Sequence, residues 1–145
     1  MTTFDSDLQT ALNDMSAARA PLVSAVQALS DADLDRVKRG GWPIHRVITH
    51  AIEHDYYMSM FVASARGQRA DMGDPTCSGQ PIGEILRRME QGRDALLNAA
   101  KDIAEDEFYI LQKLGHDEFS PITALENAAA HDREHAAQLT TILES

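Results

Sequence analysis

The chain has 145 residues, about the size of one ordinary domain, so we expect a single domain over residues 1–145. Its 13 lysines and arginines face 23 aspartates and glutamates, which gives a net charge of −10. This acidic balance would repel a nucleic acid or an anionic membrane surface, so neither is expected as a partner. The longest stretch without a charged residue, Ala20 to Ser30, has eleven residues. A membrane helix needs about 20.

Spacing of apolar residues predicts two helices in the first half of the chain. Three- and four-residue spacings predict a first helix over Phe4–Leu29, which Pro21 would kink or divide. The polar segment Ser30–Asp33 predicts the end of the first helix, followed by a short capped turn. After the break at Gly40–Gly41, a proline in the first turn opens a second helix, expected to run over Trp42–Ala65.

The second half of the chain predicts two more helices separated by loops. Glycines and prolines mark Arg66–Pro81 as a loop. A third amphipathic helix is expected over Ile82–Ile103, and Ala104–Phe119 as a loop with at most a helical turn. Ser120, with the proline after it, resembles the start of a fourth helix that continues to the C-terminus. No run shows strand alternation, so the sequence predicts an all-α four-helix bundle.

Cys77 is the single cysteine, which excludes an intrachain disulfide and a CxxC metal or redox pair. It lies in the loop rich in glycine and proline, without an evident histidine partner, and we interpret it as a free surface thiol. The N-terminus lacks the basic start and apolar run of a signal peptide, so we expect a cytoplasmic protein.

Four of the six histidines form two His-x-x-x-His pairs, His50 with His54 on the second helix and His131 with His135 on the fourth. Positions i and i+4 differ by only about 40° around a helix axis, so both imidazoles of a pair share a face. Two such nitrogens and a third from a neighbouring helix can hold one transition metal and leave a position open. A metal site is therefore one interpretation of the two histidine pairs.

Both pairs fall on or beside an apolar stripe. The His131/His135 pair shares its face with alanine, leucine and isoleucine residues, while Arg133 and Glu126 lie on the far side. On the second helix, His50 and His54 both border the stripe, and geometry alone does not choose between them. His45 falls on the polar side of its helix and His116 in a loop, so both are expected to be solvated.

The histidine pairs have three other interpretations. Inward histidines are often core residues with hydrogen-bond partners. Both segments match His-x-x-Glu-His, an inverted zincin pattern, but a short helical chain leaves little room for a peptide cleft. A di-iron bundle would need bridging carboxylates on the first and third helices, and neither helix carries a Glu-x-x-His motif. A mononuclear site fits the sequence better.

The order of several motifs resembles the DinB-like family along essentially the whole chain. These motifs are Leu29–Leu34, Gly40-Gly41-Trp42, His50 eight residues after the tryptophan, and His131-x-x-x-His135 followed by Gln138-Leu139. The resemblance implies a four-helix bundle of the DinB-like type, frequent homodimers and a three-histidine site for one divalent metal, commonly nickel or zinc. Carried over residue by residue, the ligands are His50, His131 and His135. His54 is outside that triad, and its role as a supporting group, a fourth ligand or a core residue stays open.

The resemblance also implies a function class. Members resemble metal-dependent transferases or isomerases that use a low-molecular-weight thiol, and some resemble hydrolases. A divalent metal held by neutral imidazoles can acidify a thiol or a water molecule. We therefore expect a metal-dependent enzyme that transfers a thiol to a small-molecule substrate, with a hydrolase or a non-catalytic, stress-linked metal-binding module as alternatives.

Some neighbouring residues have open roles. The carboxylates nearest to the histidines in sequence, which could orient them, are Glu53, Asp55, Asp132 and Glu134, and Glu134 is interpreted as solvated. Trp42 and Tyr57 are candidates for the mouth of a substrate site, although packing is the more common role. A set of methionines is most simply explained as core, namely Met15, Met58, Met60 and Met89.

Overall fold

The computed structural model describes all 145 residues and contains four long helices. Their bounds are α1 Thr3–Gln27, α2 Ile44–Ala65 and α3 Ile82–Ala100, with a single turn α4 Glu105–Phe108 before the last long helix, α5 Pro121–Leu143. A short 3-10 helix occupies Asp31–Asp35 between α1 and α2. The all-α four-helix bundle predicted from the sequence is thus confirmed.

Hydrogen-bonded caps explain where the first and last long helices begin. Thr2 accepts the N–H of Asp5 at 3.1 Å and donates its own N–H to the Asp5 carboxylate, a reciprocal pair that satisfies free amides. Ser120 caps α5 by accepting the N–H of Thr123, and a proline follows in the first turn. Pro21 lies inside α1, which continues through it from Thr3 to Gln27, so the expected division does not occur.

α3 ends three residues earlier than predicted, and Arg66 explains the difference. Its guanidinium donates to the carbonyls of Ala99 at 2.8 Å and Lys101 at 2.7 Å, which supplies partners for the free carbonyls of a helix end. Asp102 follows in the left-handed region with φ of 58°, a conformation that cannot continue a helix.

The segment expected to be a loop before the last helix contains a small β-hairpin, and the expectation of no strands was wrong here. β1 (Gln112–Leu114) pairs with β2 (Asp117–Phe119) in antiparallel orientation around Gly115, which has a positive φ of 63°. The hairpin lies against α2, where the Tyr57 hydroxyl donates to Asp117 Oδ2 at 2.5 Å. Three-residue strands are too short to produce a readable alternation.

The helices pack in the order α1–α5–α2–α3, and α1 makes few contacts with α3. The buried apolar residues form two clusters, one around Ile48, Ile52 and Met89 and the other around Phe61 and Phe108. Burial of this apolar surface supplies the main driving force for the bundle. None of the helices combines the length and the apolar composition that a bilayer-spanning segment needs.

Candidate metal centre

Three histidines from two helices converge within the bundle. His50 projects from α2, and His131 and His135 project from adjacent turns of α5. One ring nitrogen from each lies within 4.8 Å of those of the other two. These are the three residues that the sequence resemblance identifies as ligands, and the structure brings them together. Their binding of a metal stays a prediction.

The free nitrogens of this group fit a metal. The Nδ1–H of His135 donates to Gln138 Oε1 at 3.2 Å, which leaves the lone pair on Nε2 of the same ring. That Nε2 is buried and has no hydrogen-bond partner, and the same is true of His131 Nδ1. Buried polar atoms are nearly always partnered, so two unpartnered nitrogens in one histidine cluster are compatible with metal binding. Imidazole nitrogen is a preferred donor for zinc, nickel, copper and iron.

The protonation state of the cluster also suits a metal. Burial lowers the pKa of His131 and of His135 below the ordinary histidine value, because a buried imidazole resists taking up charge. Both rings are therefore neutral near pH 7, which is the form that coordinates a cation.

His54 lies beside the group of three without joining it. Its ring stacks on His131 with centroids 3.6 Å apart and planes inclined by 11°, and its Nε2 donates to Asn127 Oδ1 at 2.7 Å. Burial and the neighbouring His131 lower the pKa of His54 to about 4. Sequence reasoning did not find Asn127, although it lies one turn before His131 on the same face of α5.

An aromatic side chain covers the other side of the group. The Trp42 ring meets His50 edge to face at 5.5 Å between centroids, and the guanidinium of Arg46 lies 4.3 Å over the indole. Trp42 is 37% exposed, so it packs on a candidate ligand while still facing solvent. Tyr57 lines a cleft next to the site, which agrees with the mouth role considered for it.

Directly behind the histidines lies a cluster of four buried charges, one from each long helix, which we call the charge quartet: Arg19, Asp55, Arg93 and Asp132. Its members are between 1% and 9% exposed. Arg19 donates to Asp55 at 2.5 Å and to Asp132 at 3.0 Å, and Arg93 donates to the same two carboxylates at 3.2 and 2.5 Å. On α1 and α5 the quartet residue falls between the residues of the two apolar clusters.

The structure shows the surroundings of the four carboxylates that could orient the histidines, two of which belong to the quartet. Asp55 and Asp132 pair with arginines, and neither is a hydrogen-bond partner of a histidine. Glu53 and Glu134 are exposed, as expected for Glu134. The partners that the histidines do have are the amide side chains of Asn127 and Gln138.

Cys77 is fully buried, so the expectation of a surface thiol was wrong. Its loop folds back onto α2, where the N–H of Cys77 donates to Thr49 Oγ1 at 3.0 Å. Burial raises the pKa of the thiol, which agrees with the prediction that it is not a nucleophile.

Three smaller expectations have mixed outcomes. His116 is exposed, as predicted, whereas His45 is partly buried and lies 3.9 Å from Asp35. Of the four methionines expected in the core, three are buried, but Met60 is 39% exposed at the rim of the cleft.

Comparisons with known proteins agree with the fold described above. A family model described as the DinB superfamily matches residues 14–139. The crystal structure of TT2238, a four-helix bundle protein, matches with a TM-score of 0.70 at 19% identity, over 96% of this chain and 99% of that one. The crystal structure of a DinB-like protein from Bacillus cereus ATCC 10987 matches with a TM-score of 0.68 at 16% identity, over 97% of this chain and 90% of that one. At such identities the likeness shows the fold alone. No curated protein matches the chain significantly.

Proposed function

The chain belongs to the DinB superfamily, and we propose that it is a metal-dependent enzyme that activates a low-molecular-weight thiol for transfer to a small molecule. One divalent transition metal, zinc or nickel, would be held by His50, His131 and His135. The observation that carries the proposal is the convergence of these three imidazoles within 4.8 Å, with unpartnered buried nitrogens on two of them.

The chemistry follows from the donor set. Three neutral imidazoles leave a bound divalent cation its full charge, so a thiol or water molecule that coordinates to it becomes a nucleophile near neutral pH. The thiol is favoured over water by the resemblance of the motifs to family members that use thiols. A hydrolase would share the same three ligands and differ in the molecule that is activated.

The surrounding residues position the ligands. The hydrogen bond from His135 to Gln138 fixes the tautomer and orientation of that ring. Asn127 does the same for His54, which in turn packs flat on His131. Trp42 restricts His50 from the solvent side.

The first experiment measures metal uptake. After chelator treatment, we expect the protein to take up about one equivalent of zinc or nickel, measured by calorimetry and elemental analysis. His131→Ala should abolish this uptake, whereas His116→Ala, at an exposed loop position, should leave it unchanged. Gln138→Ala should weaken the affinity by about 10- to 100-fold, the usual cost of losing a residue that orients a ligand. Uptake below about half an equivalent, with no effect of His131→Ala, would contradict the metal site.

The second experiment tests catalysis. Metal-loaded protein is incubated with a panel of low-molecular-weight thiols and electrophiles, and with ester and amide substrates in parallel. Thiol transfer that disappears in His131→Ala supports the proposal. Ester or amide hydrolysis with the same dependence indicates the hydrolase, and metal uptake without any turnover indicates the non-catalytic module.

A further inference from the structure

A cleft of about 420 Å³ opens beside the histidines, between α2 and the loop over residues 66–81. His50 and His54 contribute to its wall, so a molecule bound in it would lie next to the proposed metal site. The volume is within the range of pockets that hold small molecules. Its remaining lining comes from both sides of the opening: Glu53, Tyr56, Tyr57, Met60, Met72, Gly73 and Pro75.

Most of the surface that lines this cleft is apolar. Met60 from α2 is 39% exposed and Met72 from the loop is 64% exposed, which is unusual for long apolar residues. Methionine is flexible and polarisable, and it suits surfaces that adapt to apolar ligands. Tyr56 and Tyr57 add aromatic surface. The cleft thus offers apolar area that no part of the chain covers.

The loop side of the cleft is held close to the helix at one position. A Cβ atom added to Gly73 would lie 2.2 Å from the Tyr56 hydroxyl oxygen, so only glycine permits this approach. The close contact fixes the separation of the two walls and therefore the width of the cleft.

The charged groups in the lining favour a cation over an anion. None of the nine lining residues is a lysine or arginine, and Glu53 is the single acidic one. The Tyr57 hydroxyl already donates to Asp117. In the metal-free protein an anionic ligand would lose hydration on entering without gaining a cationic partner, and the chain's charge of −10 would add repulsion. A positively charged group would instead meet the Glu53 carboxylate.

We propose that this cleft binds the second substrate of the reaction, and that this substrate is a small, largely apolar molecule with a primary amine as its best-held polar group. The role as substrate site rests on the proposed function. The binding preference itself depends only on the cleft, so it can be measured without a metal.

The test uses three probes that share the naphthalene ring and differ in their polar group: 1-naphthylmethylamine, 1-naphthalenemethanol and 1-naphthoate. Their affinities are measured by fluorescence and by ligand-observed NMR, with metal-free and metal-loaded protein and with His131→Ala. We expect the amine to bind about two- to fivefold more tightly than the alcohol, the range of an exposed ion pair. The naphthoate should bind the metal-free protein at least about fivefold more weakly than the alcohol.

Variants assign the binding to the cleft. Glu53→Gln should make the amine and the alcohol equal without weakening the alcohol, whereas Glu126→Gln, an exposed control on α5, should change neither. Met60→Ala and Met72→Ala should each weaken all three probes about three- to tenfold. Leu97 on α3 is as exposed as Met60 and lies outside the cleft, so Leu97→Ala should have no effect.

The outcomes separate this inference from the proposed function. If the metal-free protein binds naphthoate as tightly as the alcohol, or if Met60→Ala and Met72→Ala leave binding unchanged, the inference is wrong even when metal uptake is normal. If the probes bind as expected but no metal is taken up, the proposed function fails and the cleft preference remains.

Discussion

Removal of one carboxylate from the charge quartet should destabilise the protein strongly. Asp132 accepts from Arg19 at 3.0 Å and from Arg93 at 2.5 Å while only 2% exposed. Asp132→Asn would leave two buried arginines with one carboxylate, so an uncompensated positive charge would remain in the interior. Each hydrogen bond to a charged group contributes about 1.5–3 kcal/mol, so the two bonds together set an upper bound of about 3–6 kcal/mol. Breaking a buried ion pair typically costs about 3–5 kcal/mol, and we expect a loss in that range.

The measurement is guanidinium unfolding of the metal-free protein, followed by far-UV circular dichroism. A matched control is Asp14→Asn, because Asp14 pairs with Arg133 between the same two helices, α1 and α5, but on the surface. With both side chains about half exposed, that pair should contribute less than about 1 kcal/mol.

Equal, small losses in the two variants would refute the reasoning, because the quartet would then contribute no more than a surface pair. A second variant keeps the test informative if Asp132→Asn does not fold. Arg93→Met combined with Asp132→Leu removes one charge of each sign, so the interior stays neutral, and it should recover most of the stability lost in the single variant.

Three further predictions concern the loop and the histidines. Gly73→Ala should lower the free energy of unfolding in guanidinium by about 1–3 kcal/mol and make the 66–81 loop more susceptible to proteolysis, because its Cβ would overlap the Tyr56 hydroxyl. The control is Gly83→Ala, where a Cβ meets nothing and α3 should be stabilised by about 0.5–1 kcal/mol. Unchanged stability of Gly73→Ala would contradict the packing. Cys77 should react with Ellman's reagent slowly in the folded protein and rapidly in denaturant, and equal rates would contradict its burial. Burial holds the pKa of His54 at about 4, so in the metal-free protein the unfolded chain takes up a proton first as the pH falls below about 6.5. The contribution of neutral His54 to the free energy of unfolding should be fully present above pH 6.5 and should decrease by up to about 3 kcal/mol towards pH 4. An NMR titration showing an ordinary pKa for His54 would contradict this.

The long helices could be predicted from the sequence because their spacing and caps are local signals. The predicted start of α5 at Ser120 and the end of α2 at Ala65 agree with the structure. The predicted end of α3 was wrong because Arg66, a residue from a distant part of the chain, ends that helix. Such a cap depends on tertiary structure and leaves no trace in the periodicity of α3 itself.

The convergence of the three histidines could be predicted from the sequence, and the residues around them could not. The i, i+4 spacing placed His131 and His135 on one inward face, and the motif order selected His50 over His54. The arginines and aspartates of the quartet look like surface residues on any single helix, because each buried charge is compensated by a different helix. Cys77 was misplaced for a similar reason, since its burial depends on the loop returning to Thr49.

The charge quartet also limits how the helices can slide along one another. A shift of one helix by a single turn would move its charged group by about 5.4 Å, too far for any of its pairs to survive, and the separated charges would stay buried without partners. Apolar side chains tolerate such a shift far better, because they can exchange one neighbour for another. Since Asp55 follows His54 and Asp132 follows His131 in the chain, the alignment that the charges enforce between α2 and α5 is passed directly to the imidazoles. The interior ion pairs thus fix the relative position of the two helices that carry the candidate ligands.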